Sequence, residues 1–248
     1  MKLLTLNTYS WVQTADPETY AALIADILEN EYDAIALQEV NQLSSGTSVN
    51  EPEGYLPTQN EIPIKSDNFA YFLVKSLAEK GLSYHWSWVP CHQGYFRFDE
   101  GVAILSKAPI QSVEQVQLSV VNDFENIHTR RALALETEAA AFVSVHLSWW
   151  KTEEENPFLL EWTSVETAVK KLRGIKPIYV MGDVNNPADV RNEGYDLITN
   201  AGWQDAYAVA ATRIGSATVP PAIDGWKGNE VPLRIDYIFS DQPQAVET

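Results

Sequence analysis

Short, almost uninterrupted apolar runs that stop abruptly at polar residues are the strongest constraint on this chain. The runs at Lys2–Leu6, Ala34–Leu37, Val102–Leu105, Ala132–Leu135, Ala141–His146, Pro177–Met181 and Leu233–Phe239 have strand length. Several are apolar at nearly every position, which predicts strands covered on both faces. Helical segments lie between some of them. In "DPETYAALIADILEN", Tyr20, Leu23, Ile24, Ile27 and Leu28 share a face, with Asp16 as the N-cap and Pro17 in the first turn. Phe69, Phe72, Leu73 and Leu77 form a second stripe that ends at Gly81. Phe158, Trp162, Val165, Val169 and Leu172 form a third, starting at Asn156–Pro157 and ending at Gly174. No repeat, low-complexity tract or linker divides the sequence, so residues 1–248 read as one α/β domain. Two long segments, Asn41–Ser66 and Ala208–Val231, read as loops, and loops of that length tend to be functional or mobile.

The polar residues at the ends of the runs carry the chemistry. Asn7 follows "LLTL", Glu39 follows "DAIAL" after one residue, and His146 closes "AFVSV". Asp183 and Asn185 follow "IYVMG", and Asp236 interrupts "LRIDYIF". Any one of these could be a turn former, a cap or an exposed polar position. Together they place carboxylate, carboxamide and imidazole groups where open α/β sheets build sites. Such a set suits metal-assisted hydrolysis at phosphorus. A hard cation such as Mg²⁺ takes a few oxygen ligands and keeps waters that substrate can replace, and Glu39, Asn7 and one Asp fit that need. Asp183 can position the attacking water, while His146 and Asn185 can donate to phosphoryl oxygens. The remaining histidines and the single cysteine show no tight zinc spacing.

The formal charge is 17 − 34 = −17, which disfavours a polyanionic partner such as nucleic acid. A small anionic substrate at a cation-screened site is not disfavoured in the same way. One cysteine, Cys91, cannot form an internal disulfide, and "MKLLTLNTYSW" lacks the pattern of a secretory leader. No run approaches the ~18 apolar residues of a membrane span. The expectation is a cytoplasmic protein with no membrane or obligate protein partner.

The ordered set "LLTLNTYSW", "DAIALQEV", "GVAILSK", "VSVHLSWW", "MGDVNN" and "RIDYIFS" resembles the successive motifs of the endonuclease/exonuclease/phosphatase superfamily, the DNase I-like fold. "LNTYSW" and "GYFRFDEGVAILSK" are similar to its bacterial maltose 6′-phosphate phosphatase branch. The resemblance implies a four-layer α-β-β-α sandwich of two mixed sheets with helices outside, and phosphoester cleavage with Mg²⁺ or Mn²⁺. It implies that Glu39 is the principal metal ligand and Asn7 a supporting member of the metal site. His146 would contact the phosphate, Asp183 would orient or deprotonate water, and Asn185 would hold the phosphate. Asp236 would join a carboxylate–imidazole network.

One departure bears on activity. The family continues to a last strand and an "SDH" motif, whereas this sequence reads "SDQPQAVET", with Gln242 where His would stand. The "SD" at Ser240–Asp241 falls too soon after the strand to be that motif. The expectation is a missing C-terminal strand and terminal His, and weak or absent turnover unless a further segment supplies them.

The implied substrate is a small phosphorylated sugar. Aromatics cluster beside the motifs, including Trp11, Tyr84, Trp86, Trp88, Tyr95, Phe96, Phe98, Trp149, Trp150 and Trp226. Core packing is the ordinary use of such residues; it is expected for the alternating "SYHWSWV", whereas Trp149 or Trp150 is expected near the site and Trp11 in substrate binding. Arg97 and, from "HTRRALAL", Arg130 and Arg131 are candidate guanidinium contacts for phosphate, with surface ion pairing the alternative; Arg97 and Arg131 are the ones expected to bind substrate. A phosphodiesterase and a catalytically inactive binding module are the competing readings. In "YVMGDVNNPADV", Gly182 is expected to give a tight exit, and Asn186 and Pro187 only the turn.

Overall fold

The computed structural model describes residues 1–9, 17–59, 62–151, 156–221, 230–242 and 244–247. In chain order the elements are β1 (Leu3–Asn7), α1 (Pro17–Asn30), β2 (Ala34–Leu43), α2 (Phe69–Ala78), β3 (His85–Gly94), β4 (Phe98–Ser106), β5 (Ser112–Gln117), β6 (Arg131–Glu136), β7 (Ala141–His146), α3 (Pro157–Val169), β8 (Ile178–Asp183), α4 (Gly194–Asn200), β9 (Gln204–Asp205), α5 (Ala206–Val209) and β10 (Asp236–Ser240). A four-stranded sheet has the order β1-β2-β4-β3, and a six-stranded sheet the order β5-β6-β7-β8-β10-β9. Both are mixed: β1 and β2 run parallel, as do β7 and β8, and the other pairs are antiparallel.

Side-chain alternation along the strands explains the layering. Ala34, Ala36, Val102 and Ile104 point between the sheets and meet Leu133, Leu135, Phe142, Tyr179 and Met181 from the other side. Their neighbours Ile35, Leu37, Ala103 and Leu105 face the opposite way, onto Ile24 and Ile27 of α1 and Phe69, Leu73 and Leu77 of α2. On the far side, Val143, Val145, Ile178 and Val180 pack against Phe158, Trp162, Val165 and Val169 of α3. A period of two with both sets apolar makes the runs continuous in sequence and gives the α-β-β-α sandwich. Tyr84, Trp86 and Trp88 are buried, as the alternation in "SYHWSWV" implies. Phe72 departs from its predicted stripe: it is 40% exposed and lies against Tyr20, with ring centroids 5.3 Å apart. Asp16 lies outside the described residues, so its capping role has no structural account. Among the described residues no helix is long and apolar enough to cross a membrane.

The segment read as a loop from Asn41 divides. Asn41–Leu43 belongs to β2. The stretch after β2 is pinned by Gln42, which accepts from Lys65 N–H and Asn68 Nδ2 and donates to Asp99, and by Ser44, whose hydroxyl donates to Asp99 at 2.6 Å. In the second long segment, Val219 bridges Leu233; residues 222–229 lie outside the described residues.

Gly182 lies within β8, not at its exit, and the close approach of β7 requires it. It pairs with Val145, has φ of 151°, and a Cβ there would stand 2.0 Å from the Val145 carbonyl oxygen. Gly182→Ala is therefore expected to destabilise the fold by about 1–3 kcal/mol, read as a lower midpoint in urea denaturation. An unchanged midpoint would show that the sheet can open there without cost.

Candidate active site

The carboxyl ends of the two parallel strand pairs meet at one edge of the sandwich. Asn7 ends β1 beside Gln38 of β2, and His146 ends β7 directly opposite Asp183 of β8. Asp236 opens β10 on the other flank of Asp183. Asn7 joins the sheets: its Nδ2 donates to Glu39 Oε1 at 2.9 Å and to Asp183 Oδ2 at 3.1 Å, while its Oδ1 accepts from Tyr9 N–H. The carboxamide thus supports the two carboxylates through its nitrogen.

Glu39 reaches this position through a β-bulge. The register of β2 on β4 slips between Leu37 and Val40, so Gln38 and Glu39 together oppose one residue. Val40 returns to the layer of Leu37, and Glu39, with φ of 52°, is turned out of the alternation. Gln38 stays between the sheets and donates to Ser144 Oγ of β7 at 3.2 Å. Asp183 is held at both oxygens, since Asn185 N–H donates to Oδ1 at 2.9 Å in an Asx turn. Asn185 is itself left-handed, with φ of 54°, and its Nδ2 donates to the Leu147 carbonyl.

Burial and mutual repulsion set the electrostatics. Desolvation, then the carboxylate of Glu100, pushes the Glu39 carboxyl up to about 7. Desolvation and Asp236 raise Asp183 well above the usual carboxylate range, and desolvation raises Asp236. Desolvation, with help from Arg130 and His92, holds His146 well below its ordinary value, so its imidazole is neutral. His146 Nε2 stands 3.9 Å from Asp183 Oδ2, too far for a hydrogen bond, and the contact is not an ion pair.

Glu100 and Glu161 escaped the sequence reading, and other residues at the site differ in weight from what it implied. Glu100 of β4 faces the cluster, and its Oε1 lies 3.3 Å from His92 Nε2. His92 Nδ1 lies 3.2 Å from the Thr129 carbonyl, which can only accept, so that nitrogen carries the proton. Arg130, not Arg131, is the arginine at the site. Arg131 is committed elsewhere, donating to the Pro90 carbonyl, Asn122 and Gln117. Arg130 lines a small cavity with His92, Glu100 and His146, and among the described residues its guanidinium makes no hydrogen bond or ion pair. Neighbouring residues in an extended chain point to opposite faces, so a register choice decided between them. Glu161 of α3, 1% exposed, accepts from Ser148 N–H and Oγ, both at 2.7 Å. Asn186 is more than a turn former: it is buried, and its Nδ2 donates to the Ser148 carbonyl. These two brace the segment after His146.

The remaining expected residues fall in different places. Trp149 lies just past the site strand and is 41% exposed, whereas Trp150 packs on Phe158. Arg97 is exposed in the turn after β3, its guanidinium 4.6 Å from the centre of the Phe98 ring. Trp11 and Trp226 lie outside the described residues. Ser240 pairs with Tyr179 at the other end of β8, and Asp241 there accepts from Ile178 N–H. The "SD" dipeptide is therefore roughly 13 Å of strand away from Asp183. Asp236 Oδ1 is buried with no hydrogen-bond partner among the described residues.

The donor set fits a divalent cation. Among the described residues no three His, Cys, Asp or Glu side chains form a ready cage. Glu39, steadied by Asn7, offers a single carboxylate of the kind Mg²⁺ takes while keeping its waters. The crowding of Glu39, Glu100, Asp183 and Asp236 is a concentration of negative charge that a cation would relieve.

The raised Glu39 carboxyl has a consequence for the metal-free protein. Its folded value, about 7, exceeds the ordinary 4.5, so its stabilising contribution is complete below about pH 4.5 and is lost as pH rises through 7. In a chelator, Glu39→Gln is expected to match the parent near pH 4.5 and exceed it at pH 8 by on the order of 1–3 kcal/mol. Thermal melts across that range check it; a variant less stable than the parent at pH 8 would contradict the charge assignment.

The profile of the Endonuclease/Exonuclease/phosphatase family matches residues 5–247. No curated protein sequence matches the chain. Among solved structures it is similar to an endonuclease/exonuclease/phosphatase family protein from Leptotrichia buccalis C-1013-b, at 26% identity and a TM-score of 0.84, with 100% of this chain and 90% of that one covered. It shares its fold with a mannosyl-6-phosphatase from Bacteroides thetaiotaomicron VPI-5482, at 16% identity and a TM-score of 0.59, covering 93% and 79% of the two chains. It also shares it with ANGEL2, a 2′,3′-cyclic phosphatase, at 14% identity and a TM-score of 0.56, covering 89% and 73%. The chain belongs to the endonuclease/exonuclease/phosphatase family, hydrolases of phosphoester bonds.

Proposed function

We propose that the protein is a divalent-cation-dependent phosphomonoesterase, using Mg²⁺ or Mn²⁺, whose substrate is a small phosphorylated sugar such as maltose 6′-phosphate. The observation that carries this reading is the Asp183-centred cluster, in which buried carboxylates stand with a neutral His146 and with an Arg130 whose Nε has no hydrogen-bond partner among the described residues. The net charge of −17 disfavours a phosphodiester backbone, whereas a monoester's phosphate can be met locally by Arg130. The fold of the mannosyl-6-phosphatase supports the same substrate class.

Glu39 would hold the cation, with Asn7 fixing its carboxylate. The bound ion would polarise phosphoryl oxygens and offset their charge. Asp183, its carboxyl raised by burial and fixed by Asn7 and Asn185, is a competent base for the attacking water. Neutral His146 can donate one hydrogen bond to a phosphoryl oxygen, and Arg130 can offer paired donors to others. Asn185 keeps an amide hydrogen beyond the one given to Leu147. The free oxygen of Asp236 can take a further donor next to Asp183. The cytoplasm suits the one buried cysteine, whose thiol burial pushes up to about 11 and makes inert.

Phosphate release from phosphorylated disaccharides, and fragment formation from a nucleic-acid duplex and from sphingomyelin, each with Mg²⁺ or chelator, test the reading on the full-length protein. The monoesters should be turned over in a chelator-sensitive way. Asp183→Asn and Glu39→Gln should each lower turnover by roughly 10²-fold or more while the fold is retained by circular dichroism. Cleavage confined to a diester would favour the phosphodiesterase, and ligand binding without metal-dependent turnover would favour an inactive binding module.

A further inference from the structure

The β3–β4 hairpin closes through three residues, Tyr95, Phe96 and Arg97, in a turn where Arg97 N–H donates to the Gly94 carbonyl at 3.1 Å. Its central residues, Tyr95 and Phe96, have φ of 50° and 56°. Two consecutive left-handed residues match the twist of the strands, but the position is normally filled by Asn and Gly, because a Cβ in that region crowds the backbone. Two bulky aromatics stand there instead. Core packing does not explain them: Phe96 is 94% exposed and Tyr95 56%, while Phe98, two residues on, is buried.

The turn lies beside the carboxylate cluster. Glu100 rests against Gly94, where an added Cβ would meet its Oε2 at 3.0 Å. The side chains of Tyr95 and Tyr9 are hydrogen-bonded, and Tyr9 is tied through its N–H to Asn7. Desolvation, Tyr9, Glu39 and Glu100 push the Tyr95 phenol up to about 12, so it keeps its proton and can donate. A strained turn thus holds one polar aromatic at the edge of the site and a bare ring beyond it. Strain of this kind persists where surrounding structure enforces it, and it gathers at ligand sites.

We propose that the Tyr95–Phe96 turn recognises the part of the substrate beyond the phosphate, with Phe96 stacking on a sugar ring and Tyr95 hydrogen-bonding its hydroxyls. This rests on the sugar-phosphate reading of the site. Aromatic side chains with two rotatable bonds offer a large face at little entropic cost, which suits a role decided at an exposed position.

The test is calorimetric titration, with Mg²⁺ present, of a non-hydrolysable phosphonate analogue of a phosphorylated disaccharide and, separately, of inorganic phosphate. Phe96→Asn should weaken the analogue by about 3- to 10-fold and leave phosphate unchanged. Replacing the turn by Tyr95→Asn with Phe96→Gly should weaken the analogue further and raise Tm by about 2–4 °C, because the left-handed strain is relieved. Equal weakening of both ligands, unchanged analogue affinity, or a lower Tm in the doubly substituted protein would overturn the inference. A parent protein that binds phosphate but not the analogue would instead sink the sugar-phosphate reading, and the inference with it.

Discussion

The carboxamide of Asn7 is the interaction on which the site depends. It joins the two sheets at their common edge, with Glu39 from one and Asp183 from the other on the same nitrogen. Without it, two carboxylates raised by burial would face each other with only repulsion between them. The apolar layer of Ala34, Ala36, Phe142 and Met181 brings the strands close enough for one short amide to span the gap. Packing between the sheets therefore fixes the distance over which the chemistry is arranged.

Around this bridge the fold supplies rigidity through residues that touch no reacting group. Glu161 and Asn186 grip Ser148 from α3 and from the turn after β8, so the backbone beyond His146 is held from two directions. Tyr237 donates its hydroxyl to the Asn186 and Arg234 carbonyls, linking the start of β10 to the same turn. Arg234, paired with Asp205 and flanked by Tyr195, Tyr207 and Tyr237, anchors the approach to Asp236. Buried polar groups that are satisfied in this way fix side-chain orientation more strictly than apolar contact does.

Backbone strain is concentrated along the same edge. Glu39, Asn185, Tyr95 and Phe96 all lie in the left-handed region, and Tyr9 joins them with φ of 46°. Asn tolerates that conformation; Glu, Tyr and Phe do so at a cost of about 1–2 kcal/mol each. The layers behind them are well-packed, alternating strands and amphipathic helices, and these carry the stability that lets the edge remain strained.

The sequence alone determined the architecture and which strand-end polar groups come together. Period-two burial with both faces apolar requires covered sheets, and the polar residues that end those runs, Asn7, Glu39, His146, Asp183 and Asp236, do converge. What the tertiary structure decided was orientation. The bulge that turns Glu39, the choice of Arg130 over Arg131, the approach of Glu100 and His92, and the bracing by Glu161 each depend on register between segments far apart in the chain. A one-residue shift of register exchanges the faces of a strand, and no local propensity records it. For that reason a polar residue at a strand end could be placed from sequence, while the direction of its side chain could not.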